Sequence, residues 1–211
     1  MPILLNITDL HIPYYTHDYY DITIDDDEIL TLRTASIDVV NFWVATILEV
    51  NNRRIRPLIV GLDIEWRPYF GPKPNPVATL QLCVGHRCLI FQLLYCPAAP
   101  QALVNFLFDS SCTFVGVGIH QDVQKLYHEY GLTVSNVVDL RDLAVNKLGR
   151  TYLRYAGLKS LWREVLGREI EKPKYITLSN WDSVWLNYAQ ILYATIDAFI
   201  SFEIGRSLMN L

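Results

Sequence analysis

Leu58-Ile59-Val60-Gly61-Leu62-Asp63-Ile64-Glu65-Trp66 is the stretch on which the fold turns. The apolar run from Leu58 to Leu62 is short, partly β-branched and preceded by Pro57, which predicts a buried strand. Side chains alternate across a strand, so Asp63 and Glu65 share one face and Ile64 takes the other. Two carboxylates on one face at the end of a buried strand repel each other. The pair is tolerable where a cation sits between them or where one carboxyl is protonated. Asp-x-Glu alone also fits an ordinary surface pair, so the rest of the chain must supply further ligands.

Downstream, Arg67 to Pro76 is a Pro-rich extended loop with Pro68, Pro72, Pro74 and Pro76. Val77 to Val84 and Arg87 to Leu93 read as a hairpin turning at Gly85-His86. A helix follows from about Pro100 to Phe108, then a buried strand from Cys112 to Val117. Helices are expected from Ile119 to a C-terminal Gly131, from Leu140 to Gly149 and from Leu158 to Gly167, with a short strand at Val137-Val138. A polar loop with Pro173 leads to Ser179-Asn180-Trp181. The last helix starts near Asn187, whose pairing with Gln190 resembles a capping box, and runs to about Leu208.

Upstream, Ile22-Thr23-Ile24 and Ile29-Leu30-Thr31-Leu32 flank Asp25-Asp26-Asp27-Glu28 and read as a hairpin with a solvated acidic turn. Ser36 is placed to cap a helix whose Val39, Val40, Trp43, Val44, Ile47 and Leu48 recur at helical spacing, ending near Asn51-Asn52. Successive strands followed by alternating strands and helices imply an α/β class: a mixed β-sheet with helices on both faces.

The 211 residues suit one domain spanning 1–211, with residues 1–30 as an N-terminal extension. Charged residues make up 19% of the chain, below the roughly 25% of an average soluble chain, and mean hydropathy is +0.17. No apolar stretch approaches the ~18 residues of a membrane span, so no membrane partner is expected. The apolar excess then belongs to a large core and a self-association surface, which predicts a homo-oligomer. A net charge of −4 leaves no basic footprint and counts against binding long stretches of nucleic-acid backbone. It does not exclude an enzyme that holds a short end through metal ions. Cys83, Cys88, Cys96 and Cys112 contain no zinc spacing. Cys83 and Cys88 can face each other across the hairpin, but they read as buried thiols. The N-terminus lacks the basic region of a signal peptide, and Arg53-Arg54 is too short for a nuclear signal. An intracellular location, cytoplasmic or nuclear, is therefore expected.

The final helix is apolar almost all round, from Gln190 to Ile200, and so should be buried. Asp197 within it needs a partner, because a lone charge there costs several kcal/mol. A salt bridge, a water-linked acid and a metal ligand all satisfy that need. Tyr193, four residues earlier, shares its face; core packing with a bonded hydroxyl accounts for it equally. Asp122 sits in the first turn of a helix, where the dipole favours an acid whatever its function.

Taken together, these positions resemble a known family. Asp63-Ile64-Glu65-Trp66, Gly116-Val117-Gly118-Ile119-His120-Gln121-Asp122-Val123-Gln124-Lys125-Leu126, Ser179-Asn180-Trp181 and Tyr193-Ala194-Thr195-Ile196-Asp197-Ala198 look like the three exonuclease motifs of the DEDD superfamily. A Tyr in the third motif points to the DEDDy branch. Werner-syndrome-type 3′→5′ exonuclease domains are the nearest in pattern, RNase D more distant. The resemblance covers about Leu30 to Leu208 and implies an RNase H-like (DnaQ-like) fold. His120-Gln121 stands where relatives usually carry an acidic or small pair, and Ile196 replaces a smaller residue; neither change removes a ligand. The absence of a helicase segment suggests a free-standing exonuclease module.

The resemblance implies hydrolysis of a nucleic-acid 3′ end, DNA or RNA, with two divalent ions, Mg²⁺ or Mn²⁺, suited to hard oxygen ligands. Asp63, Glu65 and Asp197 would hold one ion. Asp63, with Asp122 through water, would hold the second. Tyr193 would orient the attacking water. Trp66 either stacks near the terminal base or packs, and His120 either touches the terminal nucleotide or merely begins a helix. Lys125, Lys159, Lys172 and Lys174 suit phosphates or ordinary surface. A nuclease fold kept as a nucleic-acid-binding scaffold, and a phosphodiesterase on very short oligonucleotides, are the alternative readings.

Overall fold

A computed structural model describes residues 4–12, 15–52, 57–69, 71, 74–171 and 173–211. Arg53-Arg54, Pro72, Lys172 and the side chain of Lys174 lie outside the described residues. The strands are β1 (Leu5–Asp9), β2 (His17–Ile24), β3 (Asp27–Thr34), β4 (Leu58–Trp66), β5 (Val77–Val84), β6 (Arg87–Phe91), β7 (Cys112–Gly116) and β8 (Val137–Asp139). The helices are α1 (Ile37–Asn51), α2 (Gln101–Phe108), α3 (Ile119–Tyr130), α4 (Leu140–Leu148), α5 (Leu158–Leu166), α6 (Lys174–Thr177) and α7 (Tyr188–Met209).

The strands form one mixed sheet in the order β1-β2-β3-β6-β5-β4-β7-β8. β3–β6, β4–β7 and β7–β8 are parallel, and the other pairs are antiparallel. One core lies between the sheet and α1, α2 and α3, built on Val40, Trp43, Phe106, Ile119 and Leu126 with Leu62 and Ile64 of β4. The other lies under α4, α5 and α7, around Trp162, Trp181, Ile191, Phe199 and Phe202. Alternation along β4 therefore sends Ile64 to the first core and the two acids toward the α7 side.

α7 has no polar face because it is enclosed. Its residues from Tyr193 to Phe202 are all buried. It lies so close to the sheet that a Cβ on Gly61 of β4 would come within 2.0 Å of the Ala198 carbonyl oxygen. A Cβ on Gly205 would meet Val115 of β7 at 2.8 Å. The helix begins on the expected capping box: Gln190 N–H donates to Asn187 Oδ1 at 2.9 Å, and Asn187 N–H donates to Gln190 Oε1 at 3.0 Å.

Several expectations need correction. Leu5–Asp9 adds an edge strand paired with β2, beyond the hairpin read in this region. Ser36 sits at the start of α1, but its side chain makes no cap bond; its N–H instead donates to Thr34 Oγ1 at 2.9 Å. β6 stops at Phe91, and the Gln92 amide donates to the carbonyls of Ser183 and Val184. Lys174–Thr177 is a helical turn within the segment expected to be a loop. Cys83 and Cys88 are not separate buried thiols. They face each other in register across β5 and β6 and form a disulfide.

Candidate active site

The site is assembled from the end of β4, the first turn of α3, α6 and the first half of α7. Asp63 and Glu65 lie opposite Gln81 and Thr79 of β5, and the register shifts between Glu65 and Trp66. That irregularity ends regular pairing just past the two acids. On α7, Tyr193 and Asp197 are one turn apart and lie on the same side of the helix. Close packing at Gly61 sets the helix against β4. Asp63, Glu65 and Asp197 each present a carboxylate oxygen, and the three oxygens lie within 4.8 Å of one another. Glu65 and Asp197 are buried, while Asp63 is partly open to the cleft. Three acids this close, two of them buried, could hold a hard divalent cation.

Asp122 lines the same cleft from α3 but stands outside the three-acid group. Its pKa is pushed up to about 7, first by burial and then by the negative charge of Asp139, with Lys125 acting in the opposite sense. Gly118 places Asp122: it takes a φ of 73°, a conformation glycine adopts without strain, and its N–H donates to Asp139 Oδ2 at 3.0 Å. Asp139 also receives Arg141 Nε at 3.0 Å, Arg141 NH2 at 2.6 Å and the Arg141 backbone N–H at 2.9 Å. Burial alone would raise the Asp139 pKa. The hydrogen bonds and charge of Arg141, with the Gly118 N–H, outweigh it and hold the carboxyl below the usual range.

The Tyr193 hydroxyl accepts a hydrogen bond from Thr177 Oγ1 at 3.0 Å, and its ring packs against Trp181 at 6.0 Å between centroids. Trp66 also lines the cleft, with the Lys125 ammonium 4.8 Å from its ring centroid. Lys125 is further engaged with Glu129 at 2.8 Å, so it is held in place against the indole. His120 is exposed at the start of α3 and is not among the residues lining the cleft. The cleft measures about 390 Å³, and Pro68, Val117 and Leu178 add apolar lining to it. That volume is in the range of small-molecule sites, roughly 300–1,000 Å³. Sequence reasoning passed over Thr177 and Leu178, which stand directly before Ser179-Asn180-Trp181. It also passed over Asp139 and Arg141, whose link to Gly118 spans a long separation in the chain.

Residues 41–211 match a family model described as 3′-5′ exonuclease. A 3′-5′ exonuclease of Arabidopsis thaliana is 36% identical over 186 residues, covering 87% of this chain and 64% of the relative. The bifunctional 3′-5′ exonuclease/ATP-dependent helicase WRN of Mus musculus is 36% identical over 157 residues, 72% of this chain and 11% of that protein. The chain thus spans less than two thirds of the length of these relatives. Among solved structures, Escherichia coli RNase D, an exoribonuclease involved in structured RNA processing, superposes with a TM-score of 0.69 at 20% identity, covering 84% of this chain and 44% of that one. This likeness carries the fold alone, which is the expected RNase H-like arrangement of a mixed sheet between helices. Among the described residues, no helix is long and apolar enough to cross a membrane.

Proposed function

The chain belongs to the 3′-5′ exonuclease family, and from that premise we propose that it hydrolyses nucleic acid from the 3′ end, releasing nucleoside 5′-monophosphates. The observation that carries the reading is the meeting of Asp63, Glu65 and Asp197 within 4.8 Å. Their oxygens suit Mg²⁺ or Mn²⁺: Asp63, Glu65 and Asp197 would hold one ion, and Asp63, with Asp122 through water, would hold a second. When bound, such ions strengthen a water nucleophile and stabilise the departing 3′ oxygen.

The chain's own groups do the rest. The Tyr193 hydroxyl orients the attacking water. A phenol hydroxyl both donates and accepts, which suits it to hold a water by hydrogen bonds there. Pro68, Val117 and Leu178 give the cleft apolar surface beside the acids. Trp66 offers an aromatic edge for the terminal base, its position fixed by Lys125. In the reaction, the water oxygen joins phosphorus and gives up a proton to solvent, the bond to the neighbouring 3′ oxygen breaks with its electron pair staying on that oxygen, and that oxygen takes a proton from solvent, so that one water is consumed per bond.

The convergence of the acids disfavours a scaffold that has lost its chemistry. We place the enzyme inside the cell, cytoplasmic or nuclear, where nucleic-acid 3′ ends are available. We further propose that it self-associates through exposed apolar residues such as Phe42, Val50 and Phe108. A monomer mass by light scattering at micromolar concentration would refute that point. For the activity, 5′-labelled DNA and RNA oligomers are incubated with Mg²⁺, Mn²⁺ or chelator. The expected result is a ladder shortening from the 3′ end only with metal, abolished in a folded Asp63→Ala variant. Full activity in that variant overturns the assignment, and the ranking of DNA against RNA and of long against short oligomers names the preferred substrate.

A further inference from the structure

Thr177 closes the short helix α6 and lines the cleft beside Tyr193. Its hydroxyl donates to the Tyr193 hydroxyl at 3.0 Å. Thr177 is itself fixed by the segment that follows it. The indole Nε1 of the fully buried Trp181 donates to the Thr177 carbonyl at 3.3 Å, and the same indole packs on the Tyr193 ring. Gln190, in the first turn of α7, donates from Nε2 to Ser179 Oγ at 2.9 Å and to the Asn180 carbonyl at 3.2 Å. Residues 177–181 are thus tied to the first turns of α7 by contacts made on the C-terminal side of Thr177. Thr177 itself is exposed, and its hydroxyl is turned to the phenol rather than left to solvent.

We propose that Thr177 is a positioning residue that sets the orientation of the Tyr193 hydroxyl. A phenol oxygen has one hydrogen and two lone pairs, and the hydrogen swings about the C–O bond. When Thr177 donates to one lone pair, the phenol's hydrogen and its other lone pair turn away from Thr177. They are assigned to the cleft that Tyr193 lines together with Asp63, Glu65 and Asp197. Thr177 thereby selects the donor and acceptor directions that Tyr193 offers to a water there. The inference rests on the proposed hydrolytic role of Tyr193, and its consequence falls on the chemical step rather than on substrate binding.

The test compares Thr177→Val, Thr177→Ser, Tyr193→Phe and the double variant Thr177→Val/Tyr193→Phe on a 5′-labelled oligomer with Mn²⁺. Thr177→Val keeps the shape and removes the donor. It is expected to lower kcat roughly three- to tenfold, the size of one net hydrogen bond, with KM little changed. Thr177→Ser restores the rate to within about twofold, because it keeps the donor. In the Tyr193→Phe background, Thr177→Val has no further effect. A readout independent of metal comes from tyrosine labelled with ¹³C at the ζ carbon, the Tyr193 signal being identified by its loss in Tyr193→Phe. That signal shifts in metal-free Thr177→Val and stays in place in Thr177→Ser.

Equal losses from Thr177→Val in both backgrounds, a change confined to KM, or an unmoved Tyr193 signal each overturn the proposal. They do so while leaving the exonuclease reading intact, provided wild type is active and Tyr193→Phe keeps a reduced but measurable rate. Tyr193→Phe fully active overturns the proposal and the role given to Tyr193 while the exonuclease reading stands; wild type inactive with every metal overturns both.

Discussion

Gly61 and Ala198 meet backbone to side-chain position: a Cβ on Gly61 would lie 2.0 Å from the Ala198 carbonyl oxygen and 2.7 Å from the Phe202 nitrogen. Both neighbours are backbone atoms of a buried helix and cannot step aside cheaply. Asp63 is two residues beyond Gly61 and Asp197 directly precedes Ala198, so this approach sets the gap between the two carboxylates. Gly61→Ala is expected to destabilise the protein by about 3 kcal/mol or more, at or above the upper end of ordinary overpacking. Urea unfolding measures it. A loss below about 1 kcal/mol would mean that α7 is not seated as described.

Asp139 ties Gly118, and through it the start of α3, to Arg141. Its carboxyl is held below the ordinary range near ~3.9. A depressed carboxyl pKa adds stability that is complete above the unfolded value and lost as pH falls through the folded value. Asp139→Asn should therefore cost on the order of 2 kcal/mol at pH 7, below a fully dry pair because the Arg141 side chain is 33% exposed. The wild-type and variant stabilities should converge as pH falls below about 4. Urea midpoints at several pH values test this, and parallel curves would contradict it.

The box formed by Asn187 and Gln190 holds the first turn of the helix that carries Tyr193 and Asp197. Asn187→Ala should lower stability by about 1 kcal/mol, the usual worth of such a cap. Because the acids are fixed further along by Gly61 and Gly205, metal binding should persist in this variant. Thermal melts with and without Mn²⁺ separate the two effects.

What the chain reveals on reading depends on range. β4 and α7 were legible because their burial is written locally: a short apolar run ending in acids, and a helix with no polar side. The capping box and the glycines ending α3, α4 and α5 were legible for the same reason. β1 was missed because a five-residue edge strand with alternate residues exposed carries little pattern. The turn at Lys174–Thr177 was hidden behind Pro173, which also opens loops. Pairing of Cys83 with Cys88 depends on register, which composition does not fix. The expectation that Asp122 shares a cleft with the β4 acids came from resemblance alone, since no periodicity links an α3 position to a strand far upstream. The bond from Thr177 to Tyr193 and the Asp139–Arg141 clasp are tertiary contacts without a local signature.

The most direct test of the account is calorimetric titration of Mn²⁺ into metal-free protein, wild type beside Asp63→Asn. Asp63 is the residue assigned to both ions, so its change should remove binding while the fold is retained. The account predicts two ions per wild-type chain, neither bound with comparable affinity by the variant, and a metal-free variant at least as stable as wild type because one repelling charge is gone. Wild type that binds no Mn²⁺, or a variant that binds it as wild type does, would contradict the claim that these acids form a divalent-metal centre.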